Sequence, residues 1–461
     1  MDHQLSLAIN GREHQLHSEL VPFSHPTQTG RTGTGTGTGT GYSATSRLQV
    51  AIIGLGYVGL PTAIGLVSRC KQVTGIDISE QRLREIADGT ADMPDSDRPR
   101  LAGALGSGTL RLTTDKAAIA DADAVIICVP TPVDADHVPE LTALYGACAD
   151  AVANARAGQT VILTSTTYVG TTTELLAEPL WARGLEVGTD VFVAFSPERI
   201  DPGNPDHQPE DTPRVVGGVT AECTSRAASV IGMLTDEVYV VSSPEAAEAT
   251  KLYENTFRAV SLALANEFAD ACGALQLDPI EVTLAAGTKP YGFLATFPGP
   301  GVGGHCIPCD PHYLLWQLGM QGQSAPLIEQ AMRSIRMRPQ RVVDRAREVL
   351  AAAGKSITGA RILVAGASYK PGVRDLRESS AVPVMTDLLR KAADVHYYDP
   401  LVPSITLPGG QVLSSEEDTG TDWDLVIVHT LHPGFDYTWA QNCLVLDATY
   451  RFGGATRAAV V

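Results

Sequence analysis

The sequence predicts an α/β protein in which two doubly wound sheets are joined by one long helix. Short apolar runs alternate with helix-length segments over residues 48–241, and a similar alternation returns after residue 360. Between them lies a single helical pattern that starts at Ser243 and continues to about Ala271. Such alternation is typical of parallel sheets covered by helices on both faces. The predicted fold is therefore two Rossmann-like doubly wound domains joined by a long central helix.

Charge and cysteine content narrow the class of protein. The 461 residues include 34 Lys and Arg against 52 Asp and Glu, which gives a net charge of −18. This balance speaks against nucleic acid or an anionic membrane as a partner. The eight cysteines are spread along a chain without a signal-peptide pattern or an apolar run of about 18 residues. We expect a reduced, cytoplasmic protein with no membrane span and no disulfide framework.

Residues 1–46 differ from the rest of the chain. They are polar and end in a threonine–glycine alternation from Thr32 to Gly41 that contains no large apolar residue. Such a segment cannot bury enough surface to become ordered. We expect a disordered low-complexity tail, or a start codon placed too far upstream, and in either case no catalytic role.

The first strand pattern leads into a glycine-rich turn. An apolar run over residues 48–54 is followed by Gly54-Leu-Gly-Tyr-Val-Gly59, a helical pattern and a second strand that ends at Asp77. This order is typical of dinucleotide-binding units. Asp77 can accept hydrogen bonds from both ribose hydroxyls and would repel the extra phosphate of NADP. The sequence therefore predicts NAD as the cofactor.

The residues of this turn have separate roles. Gly54 permits the tight turn, and Gly56 lets a pyrophosphate reach the backbone N–H groups at the helix N-terminus. Gly59 allows the helix to approach the strand closely. Tyr57 and Val58 complete the turn and are assigned to the same cofactor site.

Polar residues follow three later strand patterns. The further apolar runs that predict strands of the same parallel sheet are 124–129, 160–164, 191–195, 214–217 and 238–241. Ligands bind at the carboxyl ends of such strands, where Thr131, Thr166 and Glu198 stand. A single polar residue at a strand end is also a common helix cap or salt-bridge partner. Each of these three residues is weak evidence alone, and they become candidates for a site only together with further residues of the chain.

One cysteine lies in a loop of glycines and prolines. Residues 299–311 read Gly-Pro-Gly-Val-Gly-Gly-His-Cys-Ile-Pro-Cys-Asp-Pro, with Cys306 near the centre and Asp310 four residues later. Glycines such as Gly303 let a ligand approach the backbone, and a thiol presented there becomes a nucleophile when its pKa is lowered. The alternative is a tight surface turn with an incidental cysteine.

The long helical pattern carries a polar pair. Lys251 and Asn255 are one turn apart and share a face, although a solvated lysine beside a polar asparagine is the simpler interpretation. The helix also has more apolar residues than one sheet edge needs. We expect it to be an interdomain spine and the interface of a homodimer.

The second α/β unit lacks the glycine signature but has a basic cluster. A strand pattern at 361–366 is followed by Lys370, Arg374 and Arg377, where the phosphates of a second nucleotide would lie. Two nucleotide-binding halves imply two ligands that face each other across a cleft.

Seven segments together resemble one family. They are GLGYVGLP, CVPTP, TSTTYVGTT, SPERIDPGN, KLYENTFRAV, GPGVGGHCIPCDP and SYKPGVRDLRES. In this order and spacing they look like the UDP-glucose/GDP-mannose dehydrogenase family, over residues 48 to about 450. SPERIDPGN and the segment 288–293 look most like bacterial UDP-N-acetylglucosamine 6-dehydrogenases.

The resemblance implies an NAD-dependent four-electron oxidation of the 6-hydroxymethyl group of a UDP-sugar to a carboxylate. UDP-N-acetylglucosamine is the first expected substrate, with UDP-glucose or UDP-N-acetylmannosamine as alternatives. Cys306 would form a thiohemiacetal with the aldehyde and then a thioester, which explains why a dehydrogenase carries a loop cysteine. Two other classes remain as alternatives: a single-step hydroxyacid dehydrogenase and a non-catalytic NAD-binding sensor.

The resemblance also implies roles for the other candidates. Lys251, Asn255, Asp310 and a water near Thr166 and Glu198 would share the proton transfers. Lys251 would also stabilise the alkoxide, and Glu198 would position or deprotonate the water that hydrolyses the thioester. The substrate-binding residues would be Glu198, Lys251, Asn255, Gly303, Lys370 and Arg377. The cofactor-binding residues would be Gly54, Gly56, Tyr57, Val58, Gly59, Asp77, Thr131 and Thr166.

Four regions follow from these assignments. They are the tail over 1–46, an NAD-binding Rossmann domain over 47–241, a central helical and dimerisation domain with the cysteine loop over 242–335, and a UDP-sugar-binding Rossmann-like domain over 336–461. The expected partners are the UDP-sugar and a second copy of the chain.

Two residues depart from the pattern of the family. Cys309 stands where the family has Val or Ile, and Arg374 replaces an acid. No second CxxC or suitable His pair accompanies Cys306 and Cys309, so we expect no metal site. The simpler interpretation is that Cys309 fills a small apolar site. The alternative is a reversible disulfide with Cys306 that silences the enzyme under oxidation.

Overall fold

The first α/β unit is built on one eight-stranded sheet. The computed structural model of the chain describes residues 48–93, 96–199, 211–417, 419–420, 422–452 and 458–460, so the predicted tail over 1–46 lies outside the described residues. The strands of this unit are β1 (Gln49–Ile53), β2 (Gln72–Ile76), β3 (Leu110–Thr113), β4 (Ala124–Ile127), β5 (Thr160–Leu163), β6 (Phe192–Phe195), β7 (Arg214–Gly218) and β8 (Val238–Val240). They lie in the order β3-β2-β1-β4-β5-β6-β7-β8.

The sheet is apolar on both faces. Along β1, Ala51 and Ile53 belong to one core cluster, whereas Val50 and Ile52 belong to a second cluster. Successive side chains of a strand point to opposite faces, so each face of the sheet needs its own cover. The helices of this unit are α1 (Gly59–Leu66), α2 (Glu80–Ala87), α3 (Arg98–Gly106), α4 (Thr142–Asn154), α5 (Glu178–Ala182) and α6 (Ala221–Ile231).

The last two strands run against the direction of the first six. β7 pairs antiparallel with β6, and β8 is parallel to β7. This differs from the wholly parallel sheet that the sequence predicts. Two parallel neighbouring strands require a connection that returns the chain from the end of the first strand to the start of the second. The segment that contains α6 makes this connection between β7 and β8. β7 instead begins at the end of the sheet where β6 finishes, and it therefore runs antiparallel to β6.

A long helix, as predicted, joins the two α/β units. α7 (Pro244–Ala274) is capped by Ser243, whose hydroxyl accepts a hydrogen bond from the Ala246 N–H. The next helices are α8 (Pro279–Gly287), α9 (Asp310–Met320) and α10 (Pro326–Ala352). α10 packs on α7 and extends across residue 335, so the domain boundary expected there remains a prediction. Although α7 has 31 residues, no helix in the described part of the chain is long and apolar enough to cross a membrane.

The second α/β unit has a five-stranded sheet in which all pairs are parallel. Its strands are β9 (Arg361–Ala365), β10 (Asp394–Tyr398), β13 (Leu425–Val428), β14 (Val445–Asp447) and β15 (Ala458–Val460), in the order β10-β9-β13-β14-β15. β11 (Ser404–Thr406) and β12 (Val412–Ser414) form a small antiparallel pair, and α11 (Ala381–Arg390) packs on the sheet. The predicted pair of Rossmann-like units joined by a long helix is confirmed.

The close approach of α1 to the turn after β1 can be tested by adding one methyl group to the helix, in the substitution Gly59→Ala. A Cβ at Gly59 would lie 1.8 Å from the Gly54 carbonyl oxygen. We expect Gly59→Ala to cost about 2 kcal/mol and to lower the unfolding temperature by about 5 °C. Differential scanning calorimetry measures this shift.

The matched control is Gly103→Ala in α3. A Cβ at Gly103 meets no heavy atom within 4 Å. Replacing a helix glycine by alanine there should stabilise the protein by about 0.5–1 kcal/mol. Unfolding shifts of the same sign and size in both variants would contradict the close approach at Gly59.

Candidate active site

The glycine-rich turn has the geometry that the sequence predicts for a dinucleotide site. Gly54 has a φ of +86°, and a Cβ there would lie 2.8 Å from the Cys128 carbonyl oxygen. A Cβ at Gly56 would meet no heavy atom within 4 Å, so that side of the turn is open. The Leu55 N–H donates to Asp77 Oδ2 at 2.8 Å, which ties the acid to the turn. These residues fit a bound NAD.

Tyr57 and Val58 have different surroundings within this turn. The exposed Tyr57 ring lies under the guanidinium of Arg377, 4.6 Å from it. The Val58 side chain is partly buried against the core beneath α1. Val58 can therefore meet a cofactor through its backbone, and Tyr57 through its ring as well.

The three polar strand ends lie at one edge of the first sheet. β5 and β6 are parallel neighbours, and Thr166 and Glu198 each stand three residues after them. Thr131 follows the adjacent strand β4, and its carbonyl accepts a hydrogen bond from the Tyr313 hydroxyl of α9 at 3.1 Å. The parallel order of these strands brings together residues that are far apart in the sequence.

Four of the predicted residues meet between α7 and α9. Lys251 and Asn255 lie on α7, and the Asn255 amide donates a hydrogen bond to the Asp310 carboxylate at the start of α9. The Asp310 N–H donates to the Cys306 carbonyl at 2.8 Å, so the cysteine lies one turn before α9. The charges of Lys251 and Asp310 both act on the Cys306 thiol.

Asp310 is the buried carboxyl of this cluster. Burial raises its pKa to about 6, and the charge of Lys251 and the hydrogen bond from Asn255 offset this only in part. A carboxyl whose pKa lies close to neutrality can take up and release a proton within a catalytic cycle.

Cys306 is presented to solvent, whereas the other seven of the eight cysteines, all of them described, are buried. The protein atoms around its thiol nevertheless displace water and raise its pKa. The positive charges of Lys251, Arg258 and Arg377 oppose this rise. The thiol is thus accessible to a ligand and depends on nearby cations to become a thiolate.

The cysteine loop packs directly on the second α/β unit. A Cβ at Gly303 would lie 2.6 Å from Tyr369 Cβ and 2.7 Å from the Glu378 carbonyl oxygen. Gly304 has a φ of +81° and donates its N–H to the Arg377 carbonyl at 3.0 Å. The glycines therefore allow close contact between the units, and the substrate role expected of Gly303 remains a prediction.

The three basic residues of the second unit, Lys370, Arg374 and Arg377, have different surroundings. Arg377 pairs with Asp375 at 2.6 Å and lies over Tyr57, so its guanidinium faces the cofactor turn. Arg374 donates to a backbone carbonyl within its own unit at 2.6 Å. Lys370 is half-buried in the segment after β9. Arg377 thus contacts the cofactor turn, and the substrate role expected of it remains a prediction.

The acid at the end of β10 differs from the acid at the end of β2. Asp399 accepts hydrogen bonds from the Ala367 N–H at 2.7 Å and from His432 Nε2 at 3.1 Å. Burial alone would raise its pKa, but these hydrogen bonds lower it to about 2. Asp399 thus serves the second unit as an internal anchor, while Asp77 is only half-buried.

Glu198 is held at three of its atoms. Its carboxylate accepts from Arg214 Nη1 at 2.7 Å and from the Arg199 N–H at 2.8 Å. Lys251 Nζ donates to the backbone carbonyl of Glu198 at 2.8 Å. The rest of the SPERIDPGN segment, residues 200–204, lies outside the described residues.

Two residues of this site are not among the sequence predictions. Arg258 lies on α7, seven residues after Lys251, and its charge opposes the rise in the pKa of Cys306. The helical spacing from Lys251 through Asn255 to Arg258 is the signal that could have found it. Arg214 has no such signal, since only the pairing of β6 with β7 brings it to Glu198.

Cys309 is buried at the start of α9. Its N–H donates to the Cys306 carbonyl at 3.2 Å, and burial raises the pKa of its thiol to about 12. This surrounding favours the interpretation that Cys309 fills a small apolar site. The reversible disulfide with Cys306 remains a hypothesis.

The sequence profiles of three domains of one family match the chain in order. The NAD binding domain of the UDP-glucose/GDP-mannose dehydrogenase family matches residues 48–239. Its central domain matches residues 245–335, and its UDP binding domain matches residues 363–452. The NAD-binding domain expected from the glycine-rich turn is thereby confirmed.

Named relatives align over most of the chain. UDP-N-acetyl-D-mannosamine dehydrogenase of Escherichia coli (strain K12) is 36% identical over 347 residues, which are 73% of this chain and 81% of that protein. NDP-N-acetyl-D-galactosaminuronic acid dehydrogenase of Ralstonia solanacearum is 31% identical over 412 residues, which are 86% of this chain and 95% of that protein.

Solved structures superpose on most of the chain. UDP-D-ManNAc dehydrogenase from Pyrococcus horikoshii superposes with a TM-score of 0.81 at 28% identity, over 90% of this chain and 98% of that one. UDP-glucose dehydrogenase from Pyrobaculum islandicum superposes with a TM-score of 0.79 at 25% identity, over 90% of this chain and 97% of that one. From its three matched domains and its dinucleotide turn, this chain belongs to the UDP-glucose/GDP-mannose dehydrogenase family.

Proposed function

We propose that this protein oxidises the 6-hydroxymethyl group of a UDP-linked 2-acetamido sugar to a carboxylate and uses two NAD per sugar. The observation that carries the proposal is the exposed Cys306 beside Lys251 and the Asn255–Asp310 pair. Oxidation of an alcohol to an aldehyde requires a base and no thiol. A thiol that captures the aldehyde makes a second oxidation at the same carbon accessible.

UDP-N-acetylglucosamine is the first candidate substrate. The segments SPERIDPGN and 288–293 support it by their resemblance to UDP-N-acetylglucosamine 6-dehydrogenases. The names of the relatives carry N-acetylmannosamine and N-acetylgalactosaminuronic acid, which are also N-acetylated sugars. UDP-N-acetylmannosamine is therefore the second candidate, and UDP-glucose the third.

The anionic ligands need local cations because the chain as a whole carries a net charge of −18. Arg258 stands on the same helix as Lys251, near the thiol, where it can bind the sugar nucleotide. Lys370 remains the candidate for the UDP phosphates. Arg377 faces the cofactor turn, and we assign it to the dinucleotide in addition to the substrate role expected from the sequence.

In the first oxidation the chain handles the hydroxyl proton. Bound NAD supplies the hydride acceptor in both oxidations. As hydride leaves the sugar carbon, the ionised Asp310 takes the hydroxyl proton, directly or through a water near Thr166. The N–H groups of Lys251 and Asn255 stabilise the negative charge on the oxygen.

In the second oxidation Cys306 holds the substrate. Its thiolate adds to the aldehyde carbon to give a thiohemiacetal, which loses hydride and a proton to become a thioester. Water then breaks the carbon–sulfur bond and releases the carboxylate and the free cysteine. The overall balance is RCH₂OH + 2 NAD⁺ + H₂O → RCOO⁻ + 2 NADH + 3 H⁺.

The exposed face of α7 supports a homodimer. The exposed apolar side chains of the helix and of its C-cap residue Leu275 are Tyr253, Phe257, Leu264, Phe268 and Leu275. Their spacing alternates between four and seven residues, which places them in one stripe along the helix. A second copy of α7 that packs antiparallel about a two-fold axis would cover the stripe with itself. We therefore assign this stripe to the dimer interface that the sequence leads us to expect.

The dimer is tested with a charge in the stripe. We expect Leu264→Asp/Phe268→Asp to sediment and scatter as a monomer of 48.7 kDa, whereas the unchanged protein has twice this mass. Size-exclusion chromatography with light scattering measures the mass, and circular dichroism checks the fold. Val412→Asp, at an exposed position of β12, is the control and should remain dimeric. A dimeric double variant would contradict the interface.

The reaction is tested by counting NADH. With excess NAD and limiting UDP-N-acetylglucosamine, we expect two NADH per sugar, measured by absorbance. Cys306→Ser should stop before the acid, because an alkoxide forms no thioester that water can open at this site. Cys443→Ser, which changes a buried cysteine of the second unit, is the matched control and should still give two NADH.

The other outcomes of this count are equally informative. If only UDP-N-acetylmannosamine or only UDP-glucose gave two NADH, that sugar nucleotide would be the substrate, and the proposed four-electron oxidation would stand. One NADH per sugar would remove the thioester and favour a single-step dehydrogenase. No NADH from any UDP- or GDP-sugar would favour the NAD-binding sensor.

The electrostatic role of Lys251 is tested on the thiol itself. Lys251 lowers the pKa of Cys306, so its removal should leave less thiolate at pH 8. We expect Lys251→Met to slow alkylation of Cys306 by iodoacetamide about threefold or more at this pH. Mass spectrometry of the Cys306 peptide gives the rate. Lys355→Met, at a lysine paired with Asp424 in the second unit, should react like the unchanged protein. Equal rates in both variants would remove Lys251 from this role.

A further inference from the structure

Arg338 of α10 is a buried cation at the meeting point of three parts of the protein. Its side chain is only 3% exposed. Nη1 donates to Asp270 Oδ1 of α7 at 2.7 Å, Nε donates to the Gly299 carbonyl at 3.0 Å, and Nη2 donates to the Tyr450 hydroxyl at 3.0 Å. The planar fork of a guanidinium sends its N–H groups in fixed directions. One side chain thus joins the central helix, the first residue of the cysteine loop and the second α/β unit.

The start of the cysteine loop has a second hold on α7. Asn266 is a buried residue one turn before Asp270, and its Oδ1 accepts a hydrogen bond from the Gly299 N–H at 2.9 Å. Both backbone polar groups of Gly299 are therefore bound by buried side chains, the N–H by Asn266 and the carbonyl by Arg338. A residue held at its donor and at its acceptor has little freedom to shift or to rotate.

From this start the loop runs along the second unit. A Cβ at Gly301 would lie 2.4 Å from Ser380 Cβ, so the loop needs a glycine where it meets the N-terminus of α11. Beyond Cys306, Asp310 binds the end of the loop to α7. The thiol of Cys306 therefore lies between a start that Arg338 holds and an end that Asp310 holds. A shift at either end would displace it.

The turn after β14 carries Tyr450 in a strained conformation. Tyr450 has a φ of +59°, in the left-handed region that bulky residues rarely adopt. Asp447, the last residue of β14, fixes this turn, since its carboxylate accepts from the Thr449 N–H at 2.8 Å and from the Phe452 N–H at 2.9 Å. Such a conformation persists only where the surroundings impose it, and strained residues are frequent at functional sites. Here the strained residue places its hydroxyl on Arg338.

The same turn lies at the edge of the second sheet where a nucleotide is expected. β9 and β14 are both parallel to β13. The segment with Lys370 after β9 and the turn after β14 therefore leave the sheet at the same edge, where such sheets bind ligands. Arg451, the next residue of the turn, lies 5.9 Å from the centre of the Phe297 ring, just before the cysteine loop. The proposed UDP side of the molecule thus contacts the start of the loop at two places.

We propose that Arg338 is a positioning residue that holds the start of the cysteine loop between α7 and the turn after β14, so that the Cys306 thiol meets the aldehyde before the aldehyde leaves. This inference rests on the proposed oxidation. A displacement of about 1 Å between reacting atoms can lower a rate about a hundredfold. The first oxidation needs no thiol, so it depends less on the place of the loop. Loss of Arg338 should therefore separate the two oxidations.

The proposal is tested by trapping the aldehyde. The full chain receives a limiting UDP-sugar, excess NAD and O-methylhydroxylamine, which converts a released aldehyde into an oxime that mass spectrometry detects. The unchanged protein should give two NADH per sugar and little oxime. We expect Arg338→Met to release about fivefold or more oxime, and its yield should fall towards one NADH per sugar. KM for NAD should stay within about threefold, because the cofactor turn lies in the first unit.

Three further variants make the effect specific. Tyr450→Phe removes the hydroxyl that Arg338 contacts and should release about threefold more oxime than the unchanged protein. Because Tyr450 acts through Arg338, the double variant Arg338→Met/Tyr450→Phe should release no more oxime than Arg338→Met. Tyr397→Phe is the matched control. The Tyr397 hydroxyl donates to the Val402 carbonyl at 3.0 Å inside the second unit, so its loss should leave the yields of oxime and NADH unchanged.

Three results would overturn the proposal. They are as little oxime from Arg338→Met as from the unchanged protein, equal oxime from Tyr397→Phe and Tyr450→Phe, and more oxime from the double variant than from Arg338→Met. If circular dichroism shows that Arg338→Met does not fold, Arg338→Lys replaces it. A lysine keeps a charge beside Asp270, but its single nitrogen cannot serve three separate partners, so this variant should also release oxime. Failure of the unchanged protein to release two NADH from any UDP-sugar would reject the proposed function itself, which keeps the two failures distinct.

Discussion

The hydrogen bond between Asn255 and Asp310 fixes the site around which the molecule is arranged. It joins the central helix α7 to the N-terminus of α9, and the Asp310 N–H in turn holds the Cys306 carbonyl. Cys306 is thereby set at a constant place relative to Lys251. Removing either partner would leave a buried polar group unpaired, at a cost of about 1–3 kcal/mol. The buried hydrogen bond between Asn255 and Asp310 thus holds the neighbouring loop, and with it the exposed thiol of Cys306, in position.

The loop also depends on the second α/β unit. Gly303 and Gly304 allow the backbone to lie against Tyr369 and the Arg377 carbonyl, and the Arg377 side chain reaches over Tyr57 in the cofactor turn. Arg377 therefore contacts both the cofactor turn, at Tyr57, and the cysteine loop, at Gly304. Ligands bound on either side would act on the same loop.

Electrostatics divide the labour within an acidic protein. Three cations stand near the cysteine: Lys251, Arg258 and Arg377 oppose the rise in the pKa of Cys306 that burial causes. Two carboxyls contact this region in different ways. Glu198 is bonded to Arg214, whereas Asp310 is buried against an amide, which raises its pKa to about 6.

The sequence by itself determined the two Rossmann-like units, the long helix, the NAD turn and the cysteine loop. These features are local: strand and helix periodicity, a glycine pattern and the one-turn spacing of Lys251 and Asn255 are all read along the chain. The direction of β7, the pairing of Arg214 with Glu198 and the side on which Arg377 faces were decided only by the tertiary structure. Each depends on residues that are distant in sequence, and no local propensity records which of many possible neighbours a strand or a guanidinium will meet.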